Sequence, residues 1–521
     1  MVQQQERQER QERQEGQARP VAERVGPGEA AQPAQPGGEG PITPRAADYA
    51  QWYQDIIAAA ELVDQAPVRG CWILRPNGYL IWEIIQRELD QRFKRLGVQN
   101  AYFPLLIPQS YLQREAEHVE GFSPELAVVT HGGGERLEEP LVVRPTSETV
   151  IWATLRRWIR SHRDLPMLLN QWCNVVRWEK RPRAFLRTTE FLWQEGHTAH
   201  ATAEEARAFA LTMLGVYQEF ADRVLGLAVL PGEKPAHERF PGAVATFTIE
   251  PMMQDGRALQ AGTSHDLGPN FANAFDVTYQ GEDGQPHPVY ATSWGMSTRV
   301  IGAVLMAHGD DRGAIFPPMV APVQVAIVPV PGRDDESTRT VEDAAGRVRR
   351  ELAAAGLRVE IDTRPGLRPG AKFFYWERRG TPLRLEVGPR DVAAGQAVAV
   401  TRHDGQKRTI PLSGIAEAVG EVLGSVQQAL AARARELRAS RTAVVDDRAG
   451  LEEAVAQGYA LARWCEDTGC AEAIQEATRA TVRCYPLERR NQTFVPLPDD
   501  PGPCAWCGRP ARRRVIVARA Y

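Results

Sequence analysis

Two strand-like runs, NQWCNVVRWE at 170–179 and TEFLWQEGH at 189–197, flank the short basic loop KRPRAFLR. In an extended strand, side chains alternate between faces, so Phe191, Trp193, Glu195 and His197 share one face, with Leu192, Gln194 and Gly196 on the other. A hairpin of this kind demands an antiparallel sheet with one packed face. The second face carries aromatic and ionisable groups that a plain core strand would not hold. Either it is wet and the residues are incidental, or it floors a pocket for a polar ligand.

The rest of the chain supplies enough material for several domains. With 521 residues, 43% hydrophobic and 25% charged, it can bury a large core, and a formal net charge of -4 offers nucleic acid no bulk attraction. An RNA partner would have to be met by local basic patches. No run approaches the roughly 18 apolar residues of a membrane span and no apolar N-terminal segment suggests a signal peptide, so the expected address is cytoplasmic, with no membrane partner. Residues 1–45, opening QQQERQERQERQEGQ and then rich in Pro and Gly, are expected to form a disordered tail.

From 46 to 316 the pattern predicts α+β. It begins with the helix DYAQWYQDIIAAAELVD, a turn at Pro76-Asn77-Gly78 and a long amphipathic helix. Hairpin-linked strands follow, interrupted by helices at 149–162, 203–226 and 297–310. At Pro317-Pro318 the pattern changes to alternating strand and helix, an α/β domain over 317–425. A long Ala/Arg/Glu-rich helix leads into a last domain, 426–521, that holds five of the seven cysteines. Cys71 and Cys173 are expected to be core thiols, and Cys484 a buried one.

Several stretches carry chemistry. Cys465 and Cys470 in CEDTGC, with Cys504 and Cys507 in CAWCG, match a tetrahedral four-thiolate zinc site whose closed coordination makes it structural; disulfides are the competing reading in an oxidising compartment. RPTSET at 144–149 sets an arginine, hydroxyls and a glutamate at a strand-to-helix junction, where Thr146 or Ser147 would serve as N-cap. The hairpin adds Arg177 and Glu179 on one strand face and Lys180, Arg181, Arg183 and Arg187 in the loop, a set suited to a nucleoside triphosphate, although solvated surface charge explains any single member. QAGTSHDLG at 260–268 and Arg299 at the head of an apolar helix complete the list, the helix dipole adding to the attraction for anions. HxxH at His197 and His200 lacks the helix and third ligand of hydrolytic zinc sites.

Taken in order, these runs resemble the three signature motifs of class II aminoacyl-tRNA synthetases: FPLLIP the first, NVVRWE to LWQEGHTAH the second and GMSTRVIG the third. With RPTSE, FLRTTEFLWQEGH, QAGTSHDLG and GPRD, the chain is similar in detail to prolyl-tRNA synthetases of the archaeal and eukaryote-like type, from about residue 46 to the end. The resemblance implies a synthetase antiparallel-sheet core over 46–316, an anticodon-binding domain over 317–425 and a zinc-binding α+β domain over 426–521. It implies a homodimer with tRNA(Pro), L-proline and ATP with Mg2+ as substrates, and no DNA partner.

Residue by residue, it places Arg177 on the α-phosphate and the proline carboxylate and Arg299 on the triphosphate tail. Arg187 assists, Phe191 stacks on adenine, and Glu179, Thr188, Gln260, Thr263 and Ser297 complete the nucleotide site, Gln260 near magnesium. Thr146, Glu148, Trp193, His197 and His265 would form the proline pocket with Arg177. Glu190 would face the nucleotide and His200 would drop out. Lys372, Glu377, Arg378, Arg384 and Glu386 would contact the anticodon, and Tyr521, the last residue, would reach back toward the active site as part of the tRNA-binding set. No room remains between 200 and 290 for the insertion that hydrolyses mischarged alanyl-tRNA, so its clearance would occur in trans.

Three rivals are a threonyl enzyme on the same scaffold, a synthetase-like paralogue without catalysis, and a zinc-dependent nucleic-acid module. The first would need a catalytic zinc set in the core. The second would tolerate loss of Arg177, Arg299, Glu148 and His265, all present, and the third explains four cysteines and little else.

Overall fold

The computed structural model describes residues 40–118, 126–491 and 493–521. The tail expected over 1–45 lies outside these except at its end, and there it is corrected. Ile42 packs on the core, Thr43 N donates to Asp55 (2.8 Å) and Arg45 pairs with Asp311 (3.0 Å).

The first described region opens with helix α1 (Tyr49–Ala59), capped by Asp48, and α2 (Pro76–Arg95). Pro76-Asn77-Gly78 is not a turn before α2 but its first turn. Proline fits there because its fixed φ is helical and its missing N–H would have had no partner. The buried side chains of α2, Ile81, Trp82, Ile84, Ile85, Leu89 and Phe93, recur at helical spacing and face the sheet.

Seven strands then build the sheet that carries the site: β1 (Gln99–Asn100), β2 (Met167–Val176), β3 (Glu190–His200), β4 (Val229–Glu233), β5 (Ala245–Pro251), β6 (Gly262–Gly268) and β7 (Tyr290–Ser297). Their order is β4-β5-β6-β7-β3-β2-β1, antiparallel except β1 against β2. Helix α3 (Glu148–Trp158) follows the RPTSET junction, α4 (Ala203–Arg223) crosses the back of the sheet, and α5 (Arg299–His308) leaves β7. On that back face Trp294, Met296 and Tyr217 join the core. Gly196 is fixed by this packing, since a Cβ there would lie 2.0 Å from the Trp294 ring.

The α/β domain has five strands, β8 (Val325–Pro329), β9 (Val359–Ile361), β10 (Leu383–Val387), β11 (Gln396–Thr401) and β12 (Lys407–Pro411), in the order β9-β8-β10-β11-β12. The first three are parallel and the last two antiparallel. Helices α6 (Asp335–Ala354), α7 (Pro369–Arg378) and α8 (Ile415–Ser440) accompany them. Ile415, Val419, Val422 and Leu423 of α8 complete this domain's core. Further along, Val426 and Leu430 pack on Ile315.

The C-terminal region, β13 (Thr442–Val445), α9 (Arg448–Gln457), β14 (Tyr459–Trp464), α10 (Thr468–Thr478), β15 (Thr481–Arg490) and β16 (Arg513–Ala518), does not form a separate sheet. β15 pairs with β4 through Tyr485↔Glu233 and Pro486↔Gly232, so among the described residues one twelve-stranded sheet runs from β13 to β1. Cys484 is the buried thiol expected, and its role is local. It fills the space over Gly232, where a Cβ would sit 2.3 Å from its Sγ. Cys71 and Cys173 depart from expectation: both are half-exposed.

Candidate active site

Register assembles the site row by row. His197 of β3 lies opposite Ser293 of β7, Ser293 opposite His265 of β6, and His265 opposite Thr246 of β5. One row along, Glu195, Gly295, Thr263 and Thr248 align in the same way. Because directly opposed residues point to the same side, a handful of strand registers fixes the whole floor. Gly295 leaves a depression at its centre.

A cavity of about 200 Å3 stands over the first rows and is lined by Thr146, Glu148, Arg177, Trp193, His197 and His265, all six of the residues expected around proline. A second, of about 350 Å3, is lined by Arg177, Glu179, Arg187, Thr188, Phe191, Gln260, Thr263, Ser297 and Arg299, the nine expected around the nucleotide. Arg177, Trp193, Gln260, Thr263 and Gly295 border both. The two cavities therefore share a wall, and Arg177 stands in it. Its Nε donates to the Pro145 carbonyl (2.9 Å), and its guanidinium lies over the rings of Trp193 (5.2 Å) and Phe191 (5.7 Å).

Beneath the smaller cavity lies a buried carboxylate network. Glu195 accepts from Ser147 Oγ (2.5 Å), Gln171 Nε2 (2.8 Å) and His197 Nε2 (3.2 Å). Burial opposes ionisation of Glu195, but the hydrogen bond and charge of His197, with Ser147 and Gln171, outweigh it and hold the carboxyl below its usual range. Burial likewise opposes the charge on His197, and Glu195 with Glu148 raises its pKa nonetheless. Glu195 and His197 meet at 3.2 Å under the cavity floor. His265 is different: burial, with the neighbouring His197 charge, pushes it down to about 3, so it is a neutral ring. Its Nδ1 meets Thr246 Oγ1 at 3.1 Å and its ring faces Phe240.

The hydroxyls of the RPTSET junction do not cap α3, as the capping reading expected. Ser147 occupies the N-cap position without a side-chain cap bond; its Oγ goes to Glu195 and Thr146 Oγ1 donates to Glu148. Buried carboxylates need those donors more than the helix end does. Burial, with the charges of Arg177 and Arg187, lowers Arg299 to about 10, which leaves it cationic at neutral pH. Its Nε donates to the Leu186 carbonyl in the basic loop (3.1 Å).

Glu190 is corrected. As the even-numbered neighbour of Phe191 it points to the other side of β3, where Asn174 Nδ2 donates to it (2.8 Å). His200 also leaves the site, paired with Thr198 Oγ1 (2.8 Å) on that opposite face. Several lining residues received no role from the sequence. Glu195 had its signal in the alternation of β3; Thr246 and Ser293 had only a hairpin register; Glu238, Arg239 and Phe240, which also line the smaller cavity, end and follow a short 3-10 turn with no periodic signal. Cys173, opposite Trp193, accepts from its indole N–H at 3.2 Å, and burial and Glu195 raise its pKa.

In the α/β domain, Glu377 and Arg384 border a cavity of about 160 Å3 with Arg312, Arg402 and Lys407. Glu386 binds Arg384 (2.8 Å), and Lys372 donates to the Asp362 carbonyl (2.9 Å). Arg378 is a correction, being buried on the inner side of α7 with Nη2 on the Gly40 carbonyl (2.6 Å). Its charge serves the fold rather than an open surface. Tyr521 N donates to the Ala258 carbonyl (3.1 Å) and its hydroxyl to Asp255 (2.5 Å).

Those cysteines converge. The Sγ atoms of Cys465, Cys470, Cys504 and Cys507 all lie within 4.8 Å of one another, with Cys465–Cys507 at 3.5 Å and Cys470–Cys504 at 3.8 Å. Four thiolates at about 2.3 Å from a tetrahedral zinc stand roughly 3.8 Å apart, so the donor set fits that ion.

The chain matches the family model "tRNA synthetase class II core domain (G, H, P, S and T)" over 129–308, "Anticodon binding domain" over 324–422 and "Prolyl-tRNA synthetase, C-terminal" over 450–521. It is similar to "Proline--tRNA ligase 2" of Rhodococcus jostii, 51% identical over 483 residues, 92% of this chain and 98% of the relative. The chain belongs to the prolyl-tRNA synthetase family. Other members close to it include "Proline--tRNA ligase" of Chloroherpeton thalassium and of Roseiflexus sp., each 50% identical over 92% of this chain and 99% of the relative. The core and C-terminal family models fall on the parts of the sheet joined by β4 and β15. Between β3 and β7 the chain is used up by α4, β4, β5, β6, a short helix (Asn270–Ala274), a small hairpin (Thr278–Gln280 with Pro286–Pro288) and their connections, with no inserted domain.

Proposed function

We propose that the chain activates L-proline with ATP, forming prolyl-adenylate and pyrophosphate, and then transfers the prolyl group to the 3' end of tRNA(Pro). The observation that carries this is the shared wall at Arg177, with a compartment that sets Glu148 beside Trp193 on one side and one that holds Arg187 and Arg299 on the other. Glu148 receives the secondary ammonium and Trp193 covers the ring. The proline carboxylate lies against Arg177 and attacks the α-phosphorus of ATP, which enters with magnesium. Phe191 stacks on adenine, and Arg299 and Arg187 hold the phosphates that leave. Arg177 offsets the charge that gathers on the five-coordinate phosphorus, so catalysis is positioning and charge stabilisation without a covalent enzyme intermediate. The adenylate carbonyl is then open to the tRNA ribose hydroxyl.

ATP–pyrophosphate exchange tested across the twenty amino acids checks the reading: exchange is expected with proline and not with threonine, and none with proline ends it. Domain boundaries at 46–316, 317–425 and 426–521 are proposed on the same basis, α8 spanning the last one. The four cysteines hold a structural zinc. One zinc per chain is expected by elemental analysis, with Cys504→Ser losing the metal and lowering the thermal midpoint. A homodimer formed through the first motif would cover Tyr102, Leu106, Val128 and Trp158, large apolar side chains left exposed. No helix among the described residues is long and apolar enough to cross a membrane, in keeping with a cytoplasmic enzyme.

A further inference from the structure

The segment that follows α5 belongs to two places at once. Asp310, two residues past the helix, accepts from Arg402 Nη1 (2.9 Å) and Nη2 (2.6 Å), a bidentate pair across two domains. Arg402 is buried, and its Nε donates to the Glu377 carbonyl (2.7 Å). Arg312, on the same segment as Asp310, binds the Glu377 carboxylate (2.6 Å) and lies 3.6 Å from Asp310. Arg312, Glu377 and Arg402 all line the 160 Å3 cavity of the α/β domain. A ligand in that cavity must therefore touch groups bonded to the tail of α5.

At its other end, α5 carries Arg299. The ten-residue helix is about 15 Å long and buried from Val300 to His308, so it moves as one piece. Its exit is pinned by Trp52 Nε1 on the Asp310 carbonyl (2.9 Å) and Arg433 on the His308 carbonyl (2.6 Å). Beyond it, Ala314 N and Phe316 N donate to the Arg378 and Gly380 carbonyls, stitching the segment to the end of α7. Small displacements of a positioned catalytic group are costly, on the order of 100-fold for an ångström.

We propose that Asp310 and Arg402 are positioning residues that couple occupation of the α/β-domain cavity by an unpaired tRNA base to the placement of Arg299. The proposal rests on the reading of that cavity as part of the anticodon site. A base that engages Glu377 or Arg312 changes the seat of Arg402, and the bidentate bridge passes the change to α5. Without tRNA, Arg299 is held locally by Leu186 and by the packing of its helix, so proline activation alone does not depend on the bridge.

The test uses full-length Asp310→Asn, which keeps the shape but weakens the bridge, and the pair-reversed Asp310→Arg/Arg402→Asp. Each is assayed for tRNA-free exchange and for charging of tRNA(Pro) transcripts with native and altered anticodons. Asp310→Asn is expected to leave exchange within about twofold and to shrink the kcat ratio between native and altered anticodons on the order of tenfold. The reversed pair is expected to recover part of that ratio. A folded Asp310→Asn enzyme with an unchanged ratio overturns the coupling, and so does a matching fall in tRNA-free exchange, which would mean a merely structural bridge. Arg384→Ala separates the underlying reading: a raised KM for native tRNA upholds the cavity as a tRNA site, and an unchanged KM removes it and the coupling with it.

Discussion

Arg177→Ala is expected to lower kcat/KM for proline-dependent ATP–pyrophosphate exchange by about 1,000-fold, with folding intact. Removing a single neutral donor from a site of developing oxyanion charge costs about 100- to 1,000-fold, and Arg177 is a charged, forked donor facing two substrates. It also balances Glu148 and Glu195, whose charges both act on it. Without it, no guanidinium stands in the wall shared with the nucleotide cavity, and the proline carboxylate must enter beside Glu148 and Glu195. KM for proline should therefore rise as well as kcat fall. Arg177→Lys keeps the charge but loses the fork and the stacking over Trp193 and Phe191, and should fall between the two. Exchange within tenfold of the parent enzyme in the alanine variant would remove Arg177 from its assigned role.

How much of the fold and site is legible in the sequence depends on whether the signal is local. Period-two alternation puts Trp193 and His197 on one face, and it puts Glu195 there too, although its carboxylate went unassigned because its partners, Ser147 and Gln171, are 48 and 24 residues away. Short-spaced cysteines announce their cluster for the same reason, since two tight turns bring each pair together. Glu190 was misplaced where alternation was set aside in favour of charge. The stretch Glu238, Arg239 and Phe240 carries no periodic pattern, and only the folded chain brings it to the smaller cavity. Arg378 reads as a surface cation because composition cannot tell which side of a ten-residue helix is covered by a distant domain. Least legible is the pairing of β15 with β4, which joins residues some 250 positions apart. Nothing local to either strand encodes it.

That junction carries the second large effect. Glu250, on the same side of β5 as Thr246 and Thr248, is 1% exposed and accepts from Lys234 Nζ (2.7 Å) and from Arg483 Nε (2.8 Å) and Nη2 (3.0 Å). Arg483 comes from β15, so the carboxylate holds the C-terminal region onto the catalytic sheet. Burial opposes its charge, and the two cations overcome that, bringing Glu250 down to about 2. A carboxyl whose folded pKa is depressed from 4.5 contributes stability that is present above about 4.5 and is lost as pH falls toward 2. Glu250→Gln keeps the volume but leaves two buried cations facing each other, and is expected to cost about 3–5 kcal/mol. The measurement is urea unfolding at pH 7 and pH 3 with limited proteolysis across α8: the variant should unfold at lower urea at pH 7, release the C-terminal fragment, and differ less from the parent at pH 3. Replacing Lys234, Glu250 and Arg483 together by apolar residues of similar size should restore much of the loss, because the penalty belongs to the unpaired charge and not to the absent bonds. If the single and triple variants were equally destabilised, hydrogen bonding rather than charge balance would be what joins the two regions.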